Sequence, residues 1–404
     1  MQIVQTAPSP RIATIDLLKG LAMIIMALDH VRDFFHADSF LFDPNDIEKT
    51  NLPLFLTRLI TNICAPAFCL LAGTSAFFVG KRKTKAELSQ FLATRGLWLL
   101  FVEFTVVTFG WYFNPHFSVL SFGVIGSLGC SMLCLSVLVQ LPLPFILAIG
   151  ASLIFGHNLL DSIHFKNNIP WDLLHDVETV PLGSVKLEIY YPIIPWIGTM
   201  ATGYCLGALY STEVEAALRK KILHILGISC LMLFFVLRAT NFYGDPIPWQ
   251  HYDVVNEAFI STKTLMSFFN MQKYPPSLLF LLSALGFVFI FLANTETWQA
   301  KDTYRSKIAA FCCTFGRVPF FYYIVHLYLI HLSAVIVAGL SGAGWSIFIL
   351  SAWITEVPAL KHFGFSLFAV YSLWLSLIIL MYPLCKRFDA YKSSHKEKWY
   401  LSYL

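Results

Sequence analysis

Long apolar runs recur along this sequence, and they constrain its fold more than any other feature. Apolar windows of about 20 residues follow one another from residue 13 to residue 385, and a helix needs a run of that length to cross a lipid bilayer. The chain is 57% hydrophobic and 13% charged, with a mean hydropathy of +0.66, whereas soluble domains are about 25% charged. The sequence therefore predicts an all-α polytopic membrane protein.

The windows predict a bundle of about ten transmembrane helices within one transmembrane domain, residues 1–404. The fifth window is short and follows "QLPLP", so a re-entrant segment is an alternative there. The expected spans are 13–35, 55–80, 91–112, 119–140, 143–158, 190–211, 222–240, 276–293, 316–339 and 364–385.

The distribution of Lys and Arg predicts the orientation of the chain in the membrane. Basic residues concentrate in the segments around 81–85, 219–221, 301–307 and after residue 385, all on one side of a ten-span bundle. Short cytoplasmic loops carry such an excess, so both termini are predicted to be cytoplasmic. The first dozen residues lack the features of a cleaved signal peptide, and the first span is expected to be retained.

Composition also argues against several classes of protein. The formal net charge is +4, and the basic residues form no single face, which argues against nucleic acid as a partner. The nine cysteines lie in or beside apolar runs and imply no disulfide framework. No phosphate-binding loop, Gly-x-Ser-x-Gly elbow or His-Glu-x-x-His motif occurs, and no metal is predicted.

The first window ends in an unusually polar stretch, "DHVRDFFH". Asp29, Arg32, Asp33 and His36 are spaced i, i+3, i+4 and i+7, which places them on one helix face, whereas His30 lies about 100° from Asp29. Charged residues within a membrane cost about 2.5 to 3.5 kcal/mol each at the helix centre unless they face a wet cavity. The stretch therefore predicts a polar cavity inside the bundle, although a simple paired helix end is an alternative.

Other windows contribute ionisable residues to the same candidate site. Arg58, Glu103, His326 and His331 are expected to contact the substrate together with Arg32, although a membrane histidine can also be a simple hydrogen-bonding residue. Arg95 and Arg317 lie on the predicted cytoplasmic side. They are interpreted either as snorkelling arginines or as ligands for the phosphates of a cofactor.

A histidine with a neighbouring carboxylate is the smallest set of side chains that can carry out proton or acyl transfer. A histidine accepts a proton near neutral pH, and an aspartate can orient the ring and stabilise its cation. The candidate catalytic residues are accordingly His36, Asp29, Asp33 and His30.

The stretch "RIATIDLLKGLAMIIMALDHVRDFFH" resembles the amino-terminal signature of the bacterial membrane family that carries the uncharacterised domain numbered 1624. That family is similar to the catalytic region of heparan-alpha-glucosaminide N-acetyltransferase. The likeness continues, in order, through "ICAPAFCLLAGTSAFF", "VIGSLGCSM", "YPIIPWIGTMATGYCLG", "KYPPSLLFLL" and "FGRVPFFYYIVHLYLIH".

The resemblance implies an acyltransferase that uses acetyl-CoA and an essential histidine near the outer end of the first span. Matched on "FHA", that histidine is His36. The segment that precedes it is shorter than in the eukaryotic enzyme, so His30 remains a competitor. His36 would act as general base or acyl carrier, with Asp29 or Asp33 orienting it and Arg32 pairing with these carboxylates or holding the acceptor.

These observations predict an acyltransferase of the bacterial inner membrane that moves an acyl group, acetyl in the family, from cytoplasmic acyl-CoA to an amine or hydroxyl of a sugar-like acceptor at the outer face. The expected partners are the lipid bilayer, acyl-CoA and a glycan-like acceptor, and a homo-oligomer is left open. A proton-coupled secondary transporter is the alternative, because it would also place Asp, His and Arg at membrane depth. A non-catalytic scaffold explains the polar residues less well.

Overall fold

The structure is a computed structural model that describes residues 12–166, 168–252, 261–296, 307–398 and 400–401. Most of the chain is helical, which confirms the expected helical class. The α-helices are α1 Ala13–Phe35, α2 Leu52–Thr61, α3 Cys64–Gly80, α4 Lys85–Val102, α5 Thr108–Tyr112, α6 Val124–Leu138, α7 Leu143–Gly156, α8 Ile169–Leu174, α9 Ile194–Leu209, α10 Ala216–Thr240, α11 Thr262–Phe269, α12 Leu278–Thr295, α13 Lys307–Arg317, α14 Pro319–Leu340 and α15 Leu367–Ser394.

Seven helical segments of the described chain are long and apolar enough to cross a membrane. Each predicted window contains a helix, including the fifth, but α6 and α9 are shorter and α1 carries five charged residues. The count of ten spans therefore stays a prediction. The qualifying segments are Leu52–Gly80, Lys85–Tyr112, Leu143–Leu160, Ala216–Thr240, Leu278–Thr295, Pro319–Leu340 and Leu367–Ser394.

Helix α1 is buried along most of its length, because α3, α13, α14 and α15 all pack against it. Its closest approach is to α13, where glycines let the two backbones touch. A Cβ atom on Gly20 would lie 1.8 Å from the carbonyl oxygen of Cys312, and one on Gly316 would lie 1.9 Å from that of Asp16. Small residues at helix interfaces allow such close packing within membranes.

The third apolar window is interrupted by a π-helical turn, Glu103–Val107, between α4 and α5. The turn points the side chain of Glu103 at the start of α6. Its two carboxylate oxygens accept hydrogen bonds from the backbone N–H groups of Gly123 (2.7 Å) and Gly126 (2.9 Å). Glu103 therefore caps a buried helix N-terminus, whose unpaired N–H groups and positive dipole favour a carboxylate.

A small sheet, absent from the sequence-based prediction, lies between the helices. Strand β1 (Val119–Phe122) pairs in parallel with β3 (Val185–Ile189), and β2 (Glu178–Leu182) pairs antiparallel with β3. Because β1 leads directly into α6, the predicted span 119–140 is helical only from Val124 onward.

Candidate active site

A cavity of about 770 Å³ follows α1 inside the helix bundle. Its wall includes Lys19 near one end of α1 and Asp33 near the other. These residues are 14 positions apart, which corresponds to about 21 Å along a helix and thus to most of the roughly 30 Å thickness of the hydrocarbon core. The cavity therefore extends through much of the predicted membrane depth.

Asp29 is the centre of the charged part of the cavity. Its Oδ1 atom lies 2.7 Å from Nη1 of Arg32 and accepts a hydrogen bond from Thr61 (3.1 Å). Its Oδ2 atom lies 2.7 Å from Nη1 of Arg58 and 3.5 Å from Nζ of Lys273. Since both oxygens are already engaged, Asp29 acts here as the anchor of three cations and not as a base with a free lone pair.

Arg32 also contacts Asp33, whose Oδ1 lies 2.7 Å from Nη2 of the arginine. Arg32 is therefore held between two carboxylates, as the sequence-based interpretation allowed. Three cations face two carboxylates in this group, which we call the Asp29 cluster. Its members all line the cavity, and they are Asp29, Arg32, Asp33, Arg58 and Lys273.

His30 borders the same cavity, contrary to the expectation that it lies away from Asp29 and its partners. Its Nδ1 atom is 2.8 Å from Nε2 of His326, and its ring meets that of Trp111 edge-on at 4.9 Å. The ring of His326 is buried, and its Nδ1 atom is 2.8 Å from the carbonyl oxygen of Tyr322. His326 is not among the described residues that line the cavity, and its hydrogen-bond contact with the cavity wall is the one with His30.

His36 is not among the described residues that line the cavity. Helix α1 ends at Phe35, and His36 has an extended backbone (φ −82°, ψ 129°) that pairs with Phe365. The helical spacing that placed it beside Asp29 therefore does not apply to it. Its Nδ1 atom accepts a hydrogen bond from the backbone N–H of Asp38 (3.2 Å), and burial lowers the pKa of its ring although Asp38 acts in the opposite direction.

Glu103 and His331 also lie outside the described wall of the cavity. Glu103 caps α6, as described above. His331 has one ring nitrogen 2.9 Å from the carbonyl oxygen of Gly110 and the other 2.8 Å from that of Phe348, and its ring stacks on Phe113 at 3.9 Å. These contacts give His331 a packing role between α14, α5 and the segment after α14, and not a contact with the cavity.

Lys19 and Ser75 lie at the end of the cavity opposite Asp33, and Arg95 of α4 also lines the cavity. The Nζ atom of Lys19 donates to the Ser75 hydroxyl (3.1 Å), and the guanidinium of Arg95 lies 5.8 Å from the centre of the Phe91 ring. Arg317 does not belong to the described wall, and its Nε atom lies 2.6 Å from Oδ2 of Asp389 on α15. Of the two predicted cofactor ligands, only Arg95 therefore borders the cavity.

Aromatic rings form another part of the cavity wall and adjoin the Asp29 cluster, since the guanidinium of Arg58 lies 5.6 Å from the centre of the Tyr274 ring. The ring centres of Trp111 and Trp353 are 5.6 Å apart, those of Tyr190 and Trp353 5.4 Å apart, and those of Tyr191 and Tyr274 5.3 Å apart. These five residues, which we call the aromatic wall, all line the cavity. Sequence reasoning missed them and Lys273, although the "KYPP" segment that holds Lys273 and Tyr274 belongs to the family resemblance.

Tyr190 connects the aromatic wall to a buried carboxylate on β3. Its hydroxyl donates to Oε2 of Glu188 (2.7 Å), and the Tyr112 hydroxyl donates to the same oxygen. Burial raises the pKa of Glu188, and the two tyrosine hydrogen bonds act in the opposite direction. Across the described residues, no three His, Cys, Asp or Glu side chains come together as a group that could hold a metal ion.

The fold and the cavity define a multi-pass helical membrane protein with a charged and aromatic site inside its bundle. The model of the family described as "heparan-alpha-glucosaminide N-acetyltransferase, catalytic" matches residues 11–237 of the 404. The chain belongs to this family, which supports a membrane enzyme of the acetyltransferase type. No curated protein matches the chain closely enough to count as a relative.

The family match extends from α1 into α10 and includes the part of the Asp29 cluster that lies on α1 and α2. Lys273 and His326 lie after the matched residues. The resemblance of the later segments therefore remains a prediction, and the roles of these two residues are inferred from their positions in the structure.

Proposed function

We propose that this protein transfers an acyl group, acetyl by its family, from acyl-CoA to an amine or hydroxyl of a sugar-like acceptor on the other side of the membrane. The observation that carries the proposal is the continuous cavity whose wall includes Lys19, near the start of α1, Arg95 of α4 and the Asp29 cluster. A donor that enters at one end and an acceptor that enters at the other could meet in it without leaving the protein.

The proposed topology has ten spans with both termini in the cytoplasm of a bacterium, so that the Lys19 end faces inward. The basic segments support this orientation through the positive-inside rule. Acyl-CoA would then enter beside Arg95 and Lys19, which offer positive charge to its phosphates. Arg317 could join them only by exchanging its ion pair with Asp389 for a phosphate.

His30 is the general base in this proposal. It removes the proton of the acceptor as the acceptor nitrogen or oxygen attacks the thioester carbonyl carbon. The carbon–sulfur bond then breaks, and the proton passes from His30 to the departing CoA sulfur. Because the Asp29 cluster carries one more positive than negative charge, it stabilises the negative charge that develops on the carbonyl oxygen.

His36 remains the alternative base or acyl carrier that the family resemblance implies. It lies one residue beyond α1, and it would need to leave its hydrogen bond with Asp38 to reach the cavity. The position of His30 on the cavity wall favours His30.

The aromatic wall is the proposed acceptor site. Aromatic faces supply a large apolar surface, and tyrosine and tryptophan keep a polar group available for hydrogen bonding. A sugar ring, which has apolar faces and a polar rim, fits this combination. Asp33 and Asp43, which also line the cavity, would accept hydrogen bonds from its hydroxyl or amino groups.

The proposal is tested with acetyl-CoA labelled in the acetyl group, added to one side of sealed vesicles that contain the purified protein, with glucosamine trapped on the other side. Labelled N-acetylglucosamine that forms only with the protein supports transfer. If glucosamine fails as acceptor, transfer of label to another sugar amine or hydroxyl supports the proposal. Movement of glucosamine out of the vesicles without any acetylated product would indicate a transporter and contradict it.

A further inference from the structure

We infer that His326 is a positioning residue that fixes the tautomer of His30, so that Nε2 of His30 presents a lone pair to the acceptor. The inference rests on the proposed role of His30 as the base. It concerns the proton positions of two rings and can be tested without any turnover.

The proton on His326 is located by its backbone partner. A carbonyl oxygen can only accept a hydrogen bond, so the 2.8 Å contact with the carbonyl oxygen of Tyr322 requires a proton on Nδ1 of His326. The side chain of His326 is completely buried. A second proton would place an unpaired charge in a buried site, which is costly. In the neutral ring, Nε2 of His326 is therefore an acceptor.

The direction of the hydrogen bond between the two histidines follows. Nδ1 of His30 and Nε2 of His326 are 2.8 Å apart, which is hydrogen-bond distance. The ring planes differ by 14° with centres 5.0 Å apart. Because Nε2 of His326 has no proton to give, His30 must donate from Nδ1.

A neutral His30 that donates from Nδ1 has its lone pair on Nε2. No described residue forms a hydrogen bond with this nitrogen, and the ring borders the cavity. The charged residues that act on His30 are Asp29, Arg32 and Lys273, while Trp111 and Tyr323 contact its ring. None of these five accepts a hydrogen bond from Nδ1, so within the described structure His326 alone sets the tautomer.

Without His326, the proton of His30 could move to Nε2 and present a donor where the reaction needs an acceptor. In a Ser-His-Asp protease, replacing the aspartate that orients the catalytic histidine leaves the wrong tautomer and lowers kcat by about 10⁴-fold while the site geometry is kept. The expected effect of removing the acceptor is thus a loss in kcat, with little change in KM.

The direct test is ¹⁵N NMR of protein with ¹⁵N-labelled histidine rings, without substrate. The His30 signals are assigned by their loss in His30→Ala. We expect His30 to carry its proton on Nδ1 in the unsubstituted protein and to shift toward Nε2 in His326→Phe. Retention of the Nδ1 proton in His326→Phe, or an Nε2 proton in the unsubstituted protein, would overturn the inference.

His331→Phe is the matched spectroscopic control, since it removes another buried histidine of α14 that contacts neither ring. We expect it to leave the His30 signals unchanged. A shift equal to that in His326→Phe would assign the effect to general repacking and would overturn the inference.

A kinetic test compares kcat of His326→Phe with that of His326→Gln, which is the more conservative replacement. The amide of His326→Gln can donate to the Tyr322 carbonyl and accept from His30, whereas His326→Phe can do neither. We expect kcat to fall by about 10²- to 10⁴-fold in His326→Phe and by at least tenfold less in His326→Gln. Equal losses in both folded variants contradict a positioning role. If the unsubstituted protein transfers no acyl group, the proposed function fails, and the NMR result still decides the tautomer.

Discussion

Nη1 of Arg58, on α2, lies 2.7 Å from Oδ2 of Asp29, on α1, and both side chains are buried. The same carboxylate contacts Arg32 and Lys273, so one negative charge holds cations from three separate segments of the chain. Because charges buried without a partner are expensive, this arrangement makes Asp29 the residue on which the integrity of the site depends.

We therefore expect Asp29→Asn to destabilise the protein even without substrate. The substitution leaves three buried cations with less compensation, and breaking a buried ion pair costs about 3 to 5 kcal/mol. The matched control is Asp46→Asn, which removes an exposed ion pair with Lys49 worth about 0 to 1 kcal/mol. Thermal unfolding of the purified variants measures both, and similar midpoints would contradict the anchoring role of Asp29.

A second prediction separates the two candidate histidines. His30→Ala should lower acyl transfer by about 10²- to 10⁴-fold, the usual contribution of a general base. His36→Ala should be much less affected, because His36 is not among the described residues that border the cavity. Labelled acetyl transfer is measured at matched protein level, and an inactive His36 variant beside an active His30 variant would make His36 the essential residue.

A third prediction concerns the donor. Arg95→Ala should weaken CoA binding by about 10- to 100-fold, since hydrogen bonds to charged groups contribute about 1.5 to 3 kcal/mol. Arg317→Ala should affect CoA affinity less and stability more, because Arg317 pairs with Asp389. Equilibrium binding of CoA to the folded variants distinguishes the two arginines. Reduced affinity only in Arg317→Ala would assign the donor site to the region of α13 instead.

A fourth prediction tests the contact of α1 with α13. Gly20→Ala places a Cβ atom 1.8 Å from a backbone oxygen, so the two helices must separate, and such overpacking costs about 1 to 3 kcal/mol or more. Gly156→Ala is the control, because nothing lies within 4 Å of the added atom. We expect a lower unfolding midpoint only for Gly20→Ala, and equal midpoints would argue against the close contact.

A fifth prediction concerns pH. Burial raises the pKa of Glu188 from its usual value of 4.5, so the folded protein disfavours the carboxylate relative to the unfolded chain. The contribution of Glu188 to stability is then greatest below pH 4.5 and falls as pH rises from 4.5 through the higher folded-state pKa. Glu188→Gln should remove this fall. The unfolding midpoint, measured from acidic to neutral pH, should therefore depend less on pH in this variant than in the unsubstituted protein, with Glu178→Gln on β2 as a control for lost charge.

The sequence predicted the helices well, because lipid imposes long apolar runs that are visible without any tertiary information. It also predicted that Asp29, Arg32 and Asp33 share a cavity, since neighbouring turns of one helix have a known geometry. That His30 also borders the cavity could not be predicted from the spacing of residues along α1. The cavity occupies more than one face of α1, and its width is set by helices distant in sequence.

The sequence could not predict where α1 ends or which other residues complete the site. Both depend on contacts between segments that are far apart in the sequence. His36 leaves the helix where it pairs with Phe365, more than 300 positions away. Lys273 and four of the five residues of the aromatic wall lie in segments between α-helices, whose paths hydropathy does not determine, and only Trp111 lies on a helix, α5. Glu103 was predicted to contact the substrate, but it is not among the described residues that line the cavity, and its carboxylate accepts hydrogen bonds from backbone N–H groups at the start of α6, which have no signature in a sequence.

The glycines that join α1 to α13 have a further consequence for how a group could cross the membrane. Each backbone rests against the other at Gly20 and Gly316, so any approach of the helix that carries Asp29 and His30 toward α13 would make the two backbones clash. We expect the part of the cavity wall that α1 forms to stay in place through the catalytic cycle. The flexible arm of CoA, and not the protein, would then carry the acyl group across.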